Sequence, residues 1–238
     1  MSNILEQWQV QEHGAIDTVS EGLLTVEGTI SMPLGKFPRR MTVASLSGGG
    51  TAIFSAIALA EPAMQQIEAL GAPTYLVVPN AHHRMDAKIW RNRYPTMKVI
   101  APSGARESVG EVVAVDDTEL VDRKVSILPV AGTAGSELAM IVSRGDETTL
   151  VLADIIAHVA HPEGLGAKVM AMLMGFGVNH PQIPSVVKHR LIKDKAELAG
   201  QFRQWAALPG LKRIIPGHGD IISQPKHVLE TLADALET

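Results

Sequence analysis

The sequence predicts a layered α/β sandwich rather than a single parallel, doubly wound sheet. Short runs of β-branched and apolar residues, bounded by turn residues, occur in both halves of the chain and indicate two groups of strands. Helical periodicity lies between these runs instead of in a separate region. The chain begins with paired strands, continues with alternating helices and strands, and then has further strands. This order favours packed sheets covered by helices.

The strands are predicted from their β-branched composition and from the turn residues at their ends. A glycine-rich step at residues 46–51 (LSGGGT) joins two of them, which predicts a β-hairpin near the N-terminus. The predicted strands cover residues 23–30, 41–46, 51–53, 74–78, 98–101, 111–115, 125–130, 138–143, 148–152 and 212–215.

Helices are predicted from helical periodicity at residues 61–70, 85–94, 194–207 and 225–236. The first has Pro62 in its first turn and Gly71 at its end, and both residues are favourable in those positions. Residues 163–193 are rich in glycine, proline and methionine, which suits either a broken apolar helix or an extended lobe over an active-site mouth. We expect one domain over residues 1–238, with a helical insertion at about 163–193.

Composition excludes several classes of protein. Hydrophobic residues make up 46% and charged residues 19%, which excludes an intrinsically disordered chain, and the net charge of −4 gives no electrostatic reason for a nucleic-acid or membrane partner. The longest apolar stretch, residues 167–178, contains Lys168 and is too short to span a bilayer. The absence of cysteine excludes disulfides and thiolate ligands, and the N-terminus has no secretory pattern. We therefore expect a soluble, cytoplasmic protein.

Three strand ends carry residues suited to chemistry. His82 and His83 follow the strand predicted at residues 74–78, Asp154 follows the strand at 148–152, and His218 lies in a glycine-flanked turn after the strand at 212–215. The carboxyl ends of strands are where α/β proteins gather ligands. Because cysteine is absent, a metal held here would need imidazole and carboxylate ligands. The pattern predicts a site at which these groups converge on one metal.

The order and spacing of these motifs resemble the metallo-β-lactamase superfamily over about residues 23–220. The resemblance implies a four-layer αββα sandwich that holds one or two metals at the ends of its two sheets. The family motif H-x-H-x-D-H corresponds to residues 80–85 (NAHHRM), where only His82 falls on a ligand position. The family motif G-H-T-x-G-S corresponds to residues 131–136 (AGTAGS), where Gly132 replaces the ligand. Asp154 and His218 correspond to the bridging aspartate and the last histidine.

The resemblance thus implies an incomplete metal centre formed by His82, Asp154 and His218. It would hold at most one metal, zinc or another divalent cation. Arg84 stands where the family has a metal-binding acid, and its positive charge disfavours a second cation nearby. A hydrogen-bonded network of the same residues without a metal is the alternative. The candidates for a fourth ligand are His83, Asn80 and His158.

The leading functional hypothesis is a divergent metallo-β-lactamase-like hydrolase, in which a metal-bound water is the nucleophile. The alternative is a non-catalytic binding protein that retains the fold after loss of the dinuclear site. Relatives with di-iron centres raise an oxidoreductase as a third hypothesis, but a di-iron site needs ligands that this chain lacks at Arg84, Met85 and Gly132. The expected partner is a small-molecule substrate or ligand, with a homodimer as an open alternative.

Overall fold

The computed structural model describes residues 4–32, 35–162 and 164–238. Within these ranges, ten strands form two sheets. The first sheet has the spatial order β1 (His13–Ser20), β2 (Leu23–Met32), β3 (Gly35–Ser45), β4 (Thr51–Phe54), β5 (Pro73–Val77) and β6 (Lys98–Ile100). The second sheet contains β7 (Val125–Pro129), β8 (Leu138–Arg144), β9 (Glu147–Val151) and β10 (Leu211–Ile215), in the spatial order β10-β9-β8-β7.

The helices connect and follow these strands. They are α1 (Glu61–Leu70), α2 (Ala87–Arg93), α3 (Arg106–Gly110), α4 (Leu165–Met174), α5 (Ser185–Arg190), α6 (Lys195–Ala206) and α7 (Pro225–Glu237). Helix α1 ends at Gly71 as predicted. Helix α6 begins after Asp194, whose carboxylate accepts a hydrogen bond of 2.9 Å from the Glu197 N–H and so satisfies a donor in the first turn.

Three apolar clusters separate four layers of secondary structure. The central cluster lies between the two sheets and contains Phe54 and Met140. A second cluster, with Trp90, packs the outer face of the first sheet against α1 and α2. A third cluster, with Phe202 and Leu229, packs the outer face of the second sheet against α6 and α7. The predicted αββα sandwich is confirmed, because each sheet buries one face on the other sheet and one on helices.

The parallel strand pairs determine where the site lies. Strand β5 is parallel to both β4 and β6, and β10 is parallel to β9, whereas the other pairs are antiparallel. Parallel strands present their carboxyl ends at one edge of a sheet. The turns that follow β4 and β5 consequently lie next to one another, and so do those that follow β9 and β10.

Two strand predictions differ from the structure. The strand predicted at residues 111–115 is wrong: this segment forms a turn and irregular backbone after α3, and Val113 is buried in the first-sheet cluster without pairing to another strand. Strand β1 was not predicted, because it lies at the edge of its sheet and its polar sequence, HGAIDTVS, lacks an apolar alternation. The predicted hairpin at residues 46–51 is confirmed by the antiparallel pairing of β3 with β4.

Helices α4 and α5 lie within residues 163–193, of which residue 163 is outside the described ranges. The chain after α4 returns to the first sheet, where the Phe176 ring packs edge-on against Phe37 of β3, with 4.5 Å between centroids. Phe37 in turn packs against the ring of His218, at 5.1 Å. None of the helices in the described part of the chain is both long and apolar enough to cross a membrane.

Candidate metal centre

Two imidazoles and one carboxylate converge where the two sheets meet. Asp154 Oδ1 lies 3.0 Å from His83 Nε2 and 2.9 Å from His218 Nε2. One ligand atom from each of the three residues lies within 4.8 Å of the other two. The side chains are largely shielded from solvent, with 6% of His83, 14% of Asp154 and 11% of His218 exposed. We call these three residues the triad.

Each triad side chain is held through an atom that faces away from the others. The Nδ1 atom of His218 donates to the carbonyl oxygen of Pro38 at 2.7 Å. The Nδ1 atom of His83 lies 2.5 Å from Ser55 Oγ. Both contacts fix the orientation of their ring, and the Pro38 carbonyl, which can only accept, also requires a proton on His218 Nδ1.

Asn80 holds the carboxylate and shapes the turn after β5. Its Nδ2 donates to Asp154 Oδ2 at 2.9 Å, and its Oδ1 accepts hydrogen bonds from the backbone N–H groups of His82 and His83 at 2.8 and 3.3 Å. Since backbone N–H groups are donors only, they fix which end of the amide is the oxygen. Asn80 is therefore a donor to the triad rather than a candidate ligand.

This turn places His83, not His82, beside Asp154. The His82 side chain is exposed and is not part of the converging group. The family resemblance selected His82 from its position in the motif, but the hydrogen bonds of Asn80 to both N–H groups curl the backbone so that the following histidine turns inward. Asp154 and His218 do come together as the sequence predicted.

The close contacts of the triad shift the pKa values of Asp154 and His218 in opposite directions. Burial opposes ionisation of Asp154, but nearby His83 and the hydrogen bond from His218 hold the pKa of this carboxyl well below its usual value. Burial likewise opposes the charged form of His218, but the hydrogen bond to Asp154 and its negative charge raise the pKa of that imidazole. Each shift favours the charged form of its group, so the Asp154 carboxylate and the His218 ring stabilise one another.

A second carboxyl group lies beneath the triad. Glu137 is completely buried, and its Oε1 accepts hydrogen bonds of 3.0 Å from the N–H groups of both Asp154 and Ile155. Asn80 Nδ2 lies 3.3 Å from the other oxygen. Burial, and then the negative charge of Asp154, raise the pKa of Glu137 to about 8 despite these donors. Glu137 thus fixes the backbone at Asp154 and Ile155 through these hydrogen bonds.

Solved structures with a similar fold include metal-dependent enzymes. The FIM-1 metallo-β-lactamase from Pseudomonas aeruginosa, in its mono-zinc form, matches with a TM-score of 0.59 at 13% identity over 95% of this chain and 96% of that chain. A metallo-β-lactamase from Erythrobacter litoralis matches with a TM-score of 0.61 at 13% identity over 92% and 96%. The metal-soaked Flv1 flavodiiron core from Synechocystis matches with a TM-score of 0.65 at 12% identity over 96% and 61%.

The chain has the metallo-β-lactamase fold. At identities this low, the similarity concerns the fold and not the activity. No protein-family model matches the sequence, and a comparison with curated proteins finds no match. The chemistry of this chain must therefore be argued from its own residues.

The motif resemblance placed a ligand position at Gly132, but the backbone there leaves little space for a side chain. Gly132 has φ +73°, and a Cβ atom on it would lie 2.0 Å from the carbonyl oxygen of Asp194. Its own carbonyl accepts hydrogen bonds from the N–H groups of Lys193 and Asp194. The loop is thus packed against the start of α6, and a histidine has no room there.

The guanidinium group of Arg84 binds groups outside the triad. Its guanidinium donates to the Ser108 carbonyl, and its Nη1 lies 2.8 Å from Glu111 Oε2. The next two cations along this segment, Lys88 and Arg91, form ion pairs with Glu6 and Asp116. These pairs make the segment a salt-bridged surface.

Sequence reasoning missed Ser55 and Glu137. Ser55 directly follows β4 and has φ +58°, a left-handed conformation that is unusual for a residue with a side chain. Such backbone strain often occurs at functional sites. Neither a lone serine after an apolar strand nor a lone glutamate before one is distinctive in a sequence, so only the three-dimensional contacts identify them.

Proposed function

We propose that His83, Asp154 and His218 bind a single divalent metal, zinc in the first instance, and that the protein is a metal-dependent hydrolase. The observation that carries the proposal is the convergence of two imidazole nitrogens and one carboxylate oxygen within 4.8 Å. Two histidines and a carboxylate are a known ligand set of catalytic zinc, which keeps its fourth position open for water or substrate.

The donor spacing fits such an ion. Ligand atoms on a tetrahedral zinc are about 3.3 Å apart, as follows from zinc–ligand distances of about 2.0 to 2.1 Å. The distances from Asp154 Oδ1 to His83 Nε2 and His218 Nε2, 3.0 and 2.9 Å, need to widen by only a few tenths of an ångström. The contacts to Ser55, Pro38 and Asn80 can persist during this change, because none of them uses the converging atoms.

The remaining chemistry belongs to the chain. When bound, the metal would supply Lewis acidity and lower the pKa of a coordinated water. The Pro38 carbonyl keeps the proton of His218 on Nδ1 and so leaves Nε2 free for a metal. The Ser55 hydroxyl can donate to His83 Nδ1 or accept from it, and it can therefore support both tautomers of that ring. The low exposure of the triad limits competition from bulk water.

Metal binding is tested by elemental analysis together with thermal unfolding of chelator-treated protein. Zinc at about 100 times its dissociation constant should stabilise the fold by about 2.7 kcal/mol. For a chain of this length, that corresponds to a rise in Tm of about 5 to 10 °C. Asp154→Asn removes the only anionic ligand and should abolish most of the rise.

A matched pair of variants tests which histidine binds. His83→Ala should lose the zinc-induced rise in Tm, whereas His82→Ala should retain it, because the His82 side chain is exposed and outside the triad. Loss in His82→Ala and retention in His83→Ala would restore the assignment that the family motif implies. Equal rises in all variants would place the metal elsewhere.

A specific observation also supports the second candidate function, a non-catalytic binding protein. Three donors already satisfy the Asp154 carboxylate without a metal: His83, His218 and Asn80. The triad could thus serve as a structural network. Under this hypothesis, zinc leaves Tm unchanged in the parent protein, while Asp154→Asn lowers Tm in the absence of zinc.

A further inference from the structure

A cleft of about 480 Å³ lies beside helix α7, apart from the triad. Its walls come from His158 after β9, from the segment before α5, from α5 itself, from the turn after β10 and from α7, and they include none of the three triad residues. Pockets of about 300 to 1,000 Å³ are typical of small-molecule sites. The cleft is therefore large enough for a ligand of its own.

One part of the cleft wall is apolar. Ile183 and Leu232 both line it, the first just before α5 and the second on α7. Both belong to the cluster that packs the second sheet against its helices, Ile183 as a buried member and Leu232 as a partly buried one. A hydrocarbon group placed between them would leave water and gain the free energy of apolar burial.

The charged part of the cleft wall has one sign. Lys188 and the imidazoles of His158, His180 and His227 line the cleft, and no aspartate or glutamate is found among its described lining residues. In the described part of the chain, the ammonium group of Lys188 has no ion-pair partner. An anionic group would thus find cationic and N–H partners here without facing a carboxylate.

His158 has an unmet hydrogen-bonding requirement at this wall. Its Nδ1 atom is buried and has no hydrogen-bond partner among the described residues. Its backbone is fixed, because its N–H donates to the His218 carbonyl at 3.1 Å and its carbonyl accepts from the Asp220 N–H at 2.7 Å. A buried polar atom without a partner is costly, so a ligand toward which this ring turns would remove that cost.

We propose that this cleft binds a small organic anion with an apolar body. The anionic head lies among Lys188 and the imidazoles, and the body lies between Ile183 and Leu232. This inference does not depend on the metal proposal, because neither the head nor the body contacts the triad. The occupant differs from a simple inorganic anion, which would leave the apolar wall uncovered, and from a neutral lipid, which would leave Lys188 unpaired.

The proposal is tested by isothermal titration calorimetry on the full chain, with octanoate as the probe, both after chelation and after zinc loading. Octanoate should bind at least about tenfold more tightly than acetate, which lacks the body, and than 1-octanol, which lacks the charge. Binding should be the same in both metal states. A dependence of octanoate binding on zinc would overturn the assignment to a separate site.

Two variants and a control localise the binding. Lys188→Met should weaken octanoate by about tenfold and leave 1-octanol unchanged. Ala235→Trp, at an exposed position of the cleft wall on α7, should abolish binding of both. Lys226→Met removes a charge from the exposed surface of the same helix but outside the cleft, and it should change neither. Equal losses in Lys188→Met and Lys226→Met, or undiminished binding in Ala235→Trp, would reject the cleft as the site.

Discussion

The turn after β5 and the loop after β7 contain the two motifs in which the sequence analysis looked for metal ligands, and they have opposite structures. The first turns His83 inward onto Asp154 and holds it through Asn80 and Ser55. The second packs Gly132 against the backbone before α6 and leaves no space for a side chain. One half of the site retains converging donors, whereas the backbone itself closes the other half.

Gly132→His tests this closure most strongly. The left-handed backbone and the 2.0 Å approach to the Asp194 carbonyl both oppose a side chain at this position. We expect a loss of unfolding free energy of about 3 kcal/mol or more, measured by urea denaturation, because conformational strain and overpacking add. No second metal equivalent should appear in the elemental analysis.

Gly145→Ala is the matched control for that substitution. Gly145 also has a positive φ, +56°, but a Cβ atom there would meet nothing within 4 Å. Its cost should be only the conformational part, about 1 kcal/mol. Similar losses in the two variants would mean that the approach to Asp194 relaxes easily and that the loop is not closed.

Glu137→Gln tests the buried carboxyl group that holds the backbone of Asp154. The folded pKa of about 8 lies above the ordinary 4.5, so the folded protein holds this proton more tightly than the unfolded chain does. The stability contributed by Glu137 is complete below pH 4.5 and is lost progressively as the pH rises to about 8. Relative to Glu137→Gln, the chelator-treated parent should lose about 2 kcal/mol between pH 6 and pH 8.

The quantity to compare is the slope of the unfolding free energy against pH. A change in stability caused by the glutamine amide itself is the same at every pH and does not affect this slope. Urea denaturation at closely spaced pH values gives the slope for each protein. Glu230→Gln, at an exposed position of α7, controls for the loss of a carboxylate at the surface. Parallel curves for the parent and Glu137→Gln would show that Glu137 is ionised in the folded protein throughout this range.

Ser55→Ala and Ser55→Gly separate two roles of one residue. Both remove the hydroxyl that holds His83 Nδ1, so both should weaken zinc binding by about 10- to 100-fold in a competition titration with a chelator. Only glycine relieves the strain at φ +58°, so Ser55→Gly should be more stable than Ser55→Ala by about 1 kcal/mol. Unchanged zinc affinity in both would remove Ser55 from the support of the triad.

Arg84→Met should have the smallest effect. Arg84 pairs with Glu111, whose side chain is 64% exposed, so the pair should contribute less than about 1 kcal/mol to stability. Because the arginine charge is already paired, zinc affinity should change by less than about threefold. A tenfold gain in affinity would instead show that the charge of Arg84 acts on the first cation as well as on the second one considered in the sequence analysis.

The strand and helix pattern could be predicted because burial imposes it directly on the sequence. Helix α1 matches its predicted bounds, and Asp154 and His218 were found because a strand end fixes the position of the residue that follows. The segment at residues 111–115 was mistaken for a strand because Val113 is buried, and Val115 partly buried, without pairing to a strand, and burial alone produces the same composition.

The choice between His82 and His83 could not be made from the sequence. The two residues are adjacent and identical, and only the capture of both backbone N–H groups by the Asn80 side chain decides which ring faces Asp154. Glu137 and Ser55 were missed for a related reason. Their roles depend on partners far along the chain, such as the N–H of Asp154 and the ring of His83.

The hydrogen bond from His218 to Pro38 joins residues 180 positions apart, and this separation has a consequence for biosynthesis. A ribosome delivers Ser55, His83 and Asp154 long before it delivers His218, so a nascent chain can form the first sheet while the second imidazole is still untranslated. Contacts between such distant residues form late, because the entropy of closing the loop must be overcome first. The complete triad can therefore assemble only after synthesis has passed β10, and a metal that needs all three residues, as we propose, could bind only then.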